Sequence, residues 1–142
     1  LVFKKDLSRE KKYNDLSVSF STGGGEVKSG EVTKMIYTIR DINGNSVGNL
    51  EPYLSAPMHI AVWSYDLEYF VHTHGEVPGR GHEIQKGDHF GPTIDGSVVF
   101  PWPGFYKVIG EFARNGKVYT TSFVIEVKQG SNVGQVMTGH GH

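Results

Sequence analysis

The feature that most constrains this chain is a pair of alternating apolar runs on either side of Asn115-Gly116. Asn-Gly is the strongest short hairpin signal, because both residues tolerate the positive φ that a two-residue turn demands. Pairing Arg114 with Lys117 sets Phe112 opposite Tyr119, Val108 opposite Phe123 and Tyr106 opposite Ile125. Residues directly opposite in an antiparallel pair share a face. That face is apolar, and the other carries Lys107, Glu111, Thr120 and Glu126 and is wet. Residues 105–113 and 117–127 therefore predict a long hairpin with one side in a core.

The same pattern recurs upstream. Leu16, Val18 and Phe20 alternate with serines and stop at Gly23-Gly24-Gly25. Residues 31–40 place Met35, Tyr37 and Ile39 on one side and run into a second Asn-Gly at Asn43-Gly44. Residues 97–100 open another sheet segment, closed by the rigid turn Pro101-Trp102-Pro103-Gly104. Nineteen glycines and six prolines punctuate these runs, and seven Tyr, eight Phe and two Trp are enough to fill a small core. About seven short strands with turn signals roughly every ten residues predict an all-β, immunoglobulin-like Greek-key sandwich. At 142 residues the chain is one domain. We place it at residues 14–128, after a charged flexible arm (1–13) and before a flexible Gly/His tail or linker (129–142).

The chemistry concentrates in EPYLSAPMHIAVWSYDLEYFVHTHG, residues 51–75. Pro52 and Pro57 cannot donate to a ladder, so the segment between them is a loop leading into a strand at 58–64. A second strand at 69–74 follows the loop Tyr65-Asp66-Leu67-Glu68. This register opposes Ser64 to Tyr69, Trp63 to Phe70, Ala61 to His72 and His59 to His74. One face then carries His59, His72 and His74, with Trp63 and Phe70 further along, while Met58, Ile60 and Val62 point the other way. Opposed Cβ atoms lie about 4.5–5.5 Å apart, close enough for imidazoles to converge on one ion. A slip of one residue would instead separate His59 from the pair.

The chain has no cysteine, so thiolate sites and disulfides are excluded. Three imidazoles suit Zn(II) or Cu(II), and copper(II) wins by the Irving–Williams order. Copper(I) would want a thioether from Met58 or Met137, and strand parity turns Met58 away. The long polar stretch 75–92 leaves directly from the cluster and carries His82 and His89; His89 is the first candidate for a fourth ligand. Gly139-His140-Gly141-His142 is a further histidine-rich tract. Neither Asp66 nor Asp88 is spaced to act as a general base with these histidines, so no enzyme is expected. With 14 basic and 15 acidic residues there is no basic face for nucleic acid. No apolar run of 18 residues exists to span a membrane as a helix.

PYLSAPMHIAVWSYDLEYFVHTHG and the later FGPTIDGSVVFPWPGFYKVIGEFARNGKVYTTSFVIEV together resemble the YtkA-like and related small β-sandwich domains of exported bacterial proteins. The shared pattern is a Pro-Tyr-Leu-x-Ala segment, Met-His, an Asp-Leu turn, His-x-His, Phe-Pro-x-Pro-Gly-x-Tyr-Lys and a closing Gly-Lys-Val strand, over residues 50–127. Ser55 stands where the pattern usually has glycine, and the stretch around His82 and His89 is unmatched. The resemblance implies an immunoglobulin- or cupredoxin-like sandwich outside the cytoplasm, associated with copper or heavy-metal resistance. His59, His72 and His74 are the residues that carry over. The expectation is a metal-binding domain, for copper first and zinc second, that captures the ion or passes it to an efflux or assembly protein. The alternative is a metal-free immunoglobulin-like interaction module of a larger envelope protein.

Overall fold

The computed structural model describes residues 6–80 and 83–130. Their regular elements are all strands: β1 (Glu10–Tyr13), β2 (Leu16–Ser21), β3 (Val27–Lys28), β4 (Val32–Asp41), β5 (Leu50–Glu51), β6 (His59–Ser64), β7 (Phe70–His74), β8 (Thr93–Val99), β9 (Gly104–Arg114) and β10 (Lys117–Lys128). One sheet runs β1-β2-β4-β8; the other runs β3-β10-β9-β6-β7, with β5 pairing the end of β9. The chain visits the second sheet briefly at β3, returns for β4, and crosses again after β4, β7 and β8, which is the Greek-key wiring of an immunoglobulin-like sandwich.

Alternation explains why two sheets form and how they meet. Leu16, Val18 and Phe20 of β2 and Met35, Tyr37 and Ile39 of β4 are buried and face Ile60, Val62, Val108, Phe112, Phe123 and Ile125 of the other sheet. The sheets interlock at Phe20, whose ring stacks on Phe123 at 5.0 Å and meets Tyr37 edge-on at 5.1 Å. Burying each such ring stabilises the fold by roughly 1.5–3 kcal/mol. At the β8–β9 crossing the Tyr106 hydroxyl donates to the Trp102 carbonyl at 2.7 Å, the tyrosine corner of this fold class. Burial pushes the Tyr106 phenol up to about 12.

The β9–β10 register is the expected one, with Phe112 on Tyr119, Val108 on Phe123 and Tyr106 on Ile125. Three short strands (β1, β3 and β5) add to the seven that the alternation marks. The arm placed at residues 1–13 needs correction: its last four residues form β1 and pair with β2 through a turn at Asn14, φ 57°. There the Lys11 ammonium and the Tyr13 hydroxyl donate to the Ser122 carbonyl at 2.7 and 3.2 Å. Charged, half-exposed edge strands lack the apolar alternation that reveals inner ones. Residues 1–5 of that arm, and residues 131–142 of the tail with Met137, His140 and His142, lie outside the described residues, as does His82. The Asn43-Gly44 turn forms but leads only to a single bridge, Arg40 to Ser46, rather than to a paired strand. No helix of the described residues is long and apolar enough to cross a membrane.

Candidate metal centre

β6 is built on Ile60 and Val62, which are buried, so His59, Ala61 and Trp63 are forced onto the outer face of the sheet. The turn that follows sets the register. The buried Ser64 hydroxyl donates to the Asp66 carboxylate at 2.6 Å and accepts the Tyr69 N–H at 2.9 Å. The Glu68 N–H donates to the same carboxylate at 3.0 Å, and Leu67 takes φ 64° to close the loop. Ser64 and Glu68 hold the Asp66 carboxyl below its ordinary value. The strands then pair His59 with His74, Ala61 with His72 and Trp63 with Phe70, without slippage.

One ring nitrogen from each of His59, His72 and His74 lies within 4.8 Å of the other two. Ring centroids are 4.7 Å apart for His59 and His74, 5.2 Å for His72 and His74, and 5.4 Å for His59 and His72. Three nitrogens bound at 2.0–2.1 Å to one tetrahedral ion stand roughly 3.3 Å apart. Closing the group onto an ion therefore takes about 1.5 Å of ring movement at most. His72 and His74 are exposed and can supply it by rotamer adjustment, while His59 is half-buried and fixed.

What fixes His59 is the main chain. Its Nε2 lies 2.9 Å from the Tyr53 carbonyl and 3.3 Å from the Leu54 carbonyl. A carbonyl only accepts, so Nε2 is the donor here, and in the neutral imidazole the lone pair then lies on Nδ1. An imidazole steered by a carbonyl on its far nitrogen is the usual support of a metal ligand. The Tyr53 ring also meets His59 edge-on at 5.5 Å. Those carbonyls are presented by a two-residue turn in which Leu54 and Ser55 both have positive φ, 50° and 68°. Reciprocal bonds between Tyr53 and Ala56, at 2.8 and 3.1 Å, close it. Ser55 thus holds a φ that glycine adopts at no steric cost.

His89 is not among the converging nitrogens. After β7, Gly75 donates to the Met58 carbonyl at 2.8 Å and Glu76 bridges to Asp95 of the opposite sheet. The segment then returns so that Phe90 is buried and bonded to Leu50 in both directions, at 2.9 and 3.1 Å. This anchor sets His89 against a separate depression lined with Glu51, Pro52, Ser55 and Asp88. The fourth ligand expected at His89 is accordingly withdrawn. Met58 is fully buried, so strand parity reads it correctly as core. Trp63 and Phe70 pack together at 4.3 Å beside the cluster.

The local reading missed one residue. β6 pairs with β9 so that His59 stands opposite Glu111, and β10 places Thr120 on the far side of Glu111. His74, His59, Glu111 and Thr120 thus form one row across four strands of the outer face. Alternation marks Glu111 as wet, but only the β6–β9 pairing makes it a neighbour of the histidines. Adjacency of the third and sixth main strands is a rule of this fold class. That rule is the signal that points to it.

A family model described as a domain of unknown function, DUF8832, matches residues 11–129. No curated protein matches the chain.

Proposed function

The chain belongs to the DUF8832 family, and from its histidine cluster we propose that it is a non-enzymatic, exported metal-binding β-sandwich. His59, His72 and His74 take up a transition-metal ion, copper before zinc, for delivery to an efflux or assembly partner. The observation that carries the reading is the meeting of three imidazole nitrogens within 4.8 Å on a hairpin whose register is locked by Ser64 and Asp66. The hold of two carbonyls on His59 Nε2 supports it, because it fixes the ring and leaves Nδ1 as the ligand nitrogen of the neutral imidazole. Export and a role beside copper handling rest on the YtkA-like resemblance of residues 50–127. Of the expected ions copper(II) is favoured over zinc at an imidazole site by the Irving–Williams order.

The test is a copper and zinc titration of the purified chain in a background of His140→Ala and His142→Ala. It is run beside the same chain with His59→Ala, His72→Ala and His74→Ala. One-to-one binding that the triple variant loses while keeping its circular dichroism is the expected result. Equal weak binding by both proteins would remove the metal reading and leave the interaction module as the better account.

A further inference from the structure

The row formed by His74, His59, Glu111 and Thr120 places a carboxylate directly beside His59, on a strand that the histidine hairpin meets only through the β6–β9 pairing. From this placement we infer that Glu111 is the fourth ligand of the ion, which makes the site a three-histidine, one-carboxylate centre for a divalent metal. The inference rests on the three-histidine reading and extends it.

Glu111 is half-buried between Gly110 and Phe112, which both face the core, so its side chain is committed to the histidine face. Directly opposed residues of an antiparallel pair hold their Cβ atoms about 4.5–5.5 Å apart, within the span of a glutamate leaning across His59. The next outward residues along β9 are Ile109, opposite Ala61, and Lys107, opposite Trp63; neither can ligate an ion beside His59. At rest the Glu111 carboxylate stands outside the group of ligand atoms that meet within 4.8 Å, because it accepts a hydrogen bond from the Thr120 hydroxyl at 2.9 Å on the side away from His59. Unlike His89, which Phe90 anchors elsewhere, it can reach the ion by a side-chain swing across the β6–β9 pair. Ligation exchanges that neutral donor for a cation, and charge-assisted contacts to a carboxylate are the stronger kind.

The added oxygen decides the class of ion. A hard carboxylate joined to three imidazoles suits Zn(II) and Cu(II), whereas Cu(I) selects soft sulfur donors. The thioether of Met58 is buried on the opposite face and cannot offer one. One carboxylate also halves the charge of a divalent ion held otherwise by neutral ligands.

The test titrates the full chain, Glu111→Gln and Glu111→Ala with Zn(II) and Cu(II) at about 0.1 M and about 1 M salt, and with Cu(I) under reducing conditions. Both variants are expected to lose at least about tenfold in affinity for the two divalent ions. The loss should persist at high salt, where a Debye length of about 3 Å screens a merely neighbouring charge. The Cu(II) d–d band should move in the variants, and Cu(I) affinity should change by less than about threefold. Unchanged divalent affinity, or a loss that disappears at high salt with the band unmoved, overturns the role of Glu111 and leaves the histidine site standing. Wild-type binding that the triple histidine variant retains overturns the histidine site itself, and Glu111 with it.

Discussion

His59 owes its orientation to two carbonyls, and those carbonyls owe theirs to two residues in an uncomfortable backbone region. Leu54 and Ser55 both sit at positive φ, where an L-residue other than glycine or asparagine pays roughly 1–2 kcal/mol. Leu54 is also 70% exposed, so it recovers little by burial. Replacing the pair by Leu54→Asn and Ser55→Gly should keep the turn and raise stability by about 1 kcal/mol, after the entropy that glycine costs is deducted. Urea denaturation of wild type and double variant measures this, and an unchanged or lower midpoint would show that the turn is not strained. Strain of this kind gathers at sites where geometry matters more than comfort. Tyr53, whose carbonyl serves both the turn and His59, is where the two demands meet.

At the scale of elements, the β6–β7 hairpin depends on a polar turn with a built-in pH response. Ser64 and the Glu68 N–H favour the charged form of Asp66, so its folded pKa lies below the ordinary 3.8. The stability that this charge contributes is complete above the unfolded value and fades as pH falls through the lowered folded one. Acid unfolding of wild type should therefore steepen below about pH 4, and Asp66→Asn should flatten the slope while lowering stability at neutral pH. A variant with the same acid limb as wild type would take the turn out of the account. This hairpin was legible from the sequence because everything that specifies it is local: a short loop, alternation, and the positions of Ile60 and Val62. The β9–β10 hairpin was legible for the same reason, through Asn115-Gly116. The partnership of β6 with β9 was not, because Val62 opposite Val108 leaves no mark within either segment. The strand at Glu10–Tyr13 leaves no mark either, because its pairing rests on main-chain bonds and a contact to Ser122 rather than on apolar residues. His89 is near the cluster in sequence alone; Phe90, buried and bonded to Leu50, takes it elsewhere.

For the molecule as a whole, β7 is the edge of its sheet and holds two of the three histidines, so an ion would tie an outer strand to an inner one. Binding to the folded state alone adds about 2.7 kcal/mol at a free-ion concentration one hundred times the dissociation constant. For a domain of this size that corresponds to a rise in Tm of roughly 10 °C. Calorimetry with and without Cu(II) or Zn(II) measures it, and the triple histidine variant should show no rise; an equal rise in both would assign the effect to other sites. The histidine row lies on the outer face of the sheet rather than in a cleft, with His72 and His74 both exposed. An ion held there meets no wall on arrival and none on departure. A second protein can lower its own ligands onto the open side and form a shared, mixed-ligand bridge before the first bonds break. Exchange would then run at the speed of encounter rather than of release, which suits a courier far better than a vault.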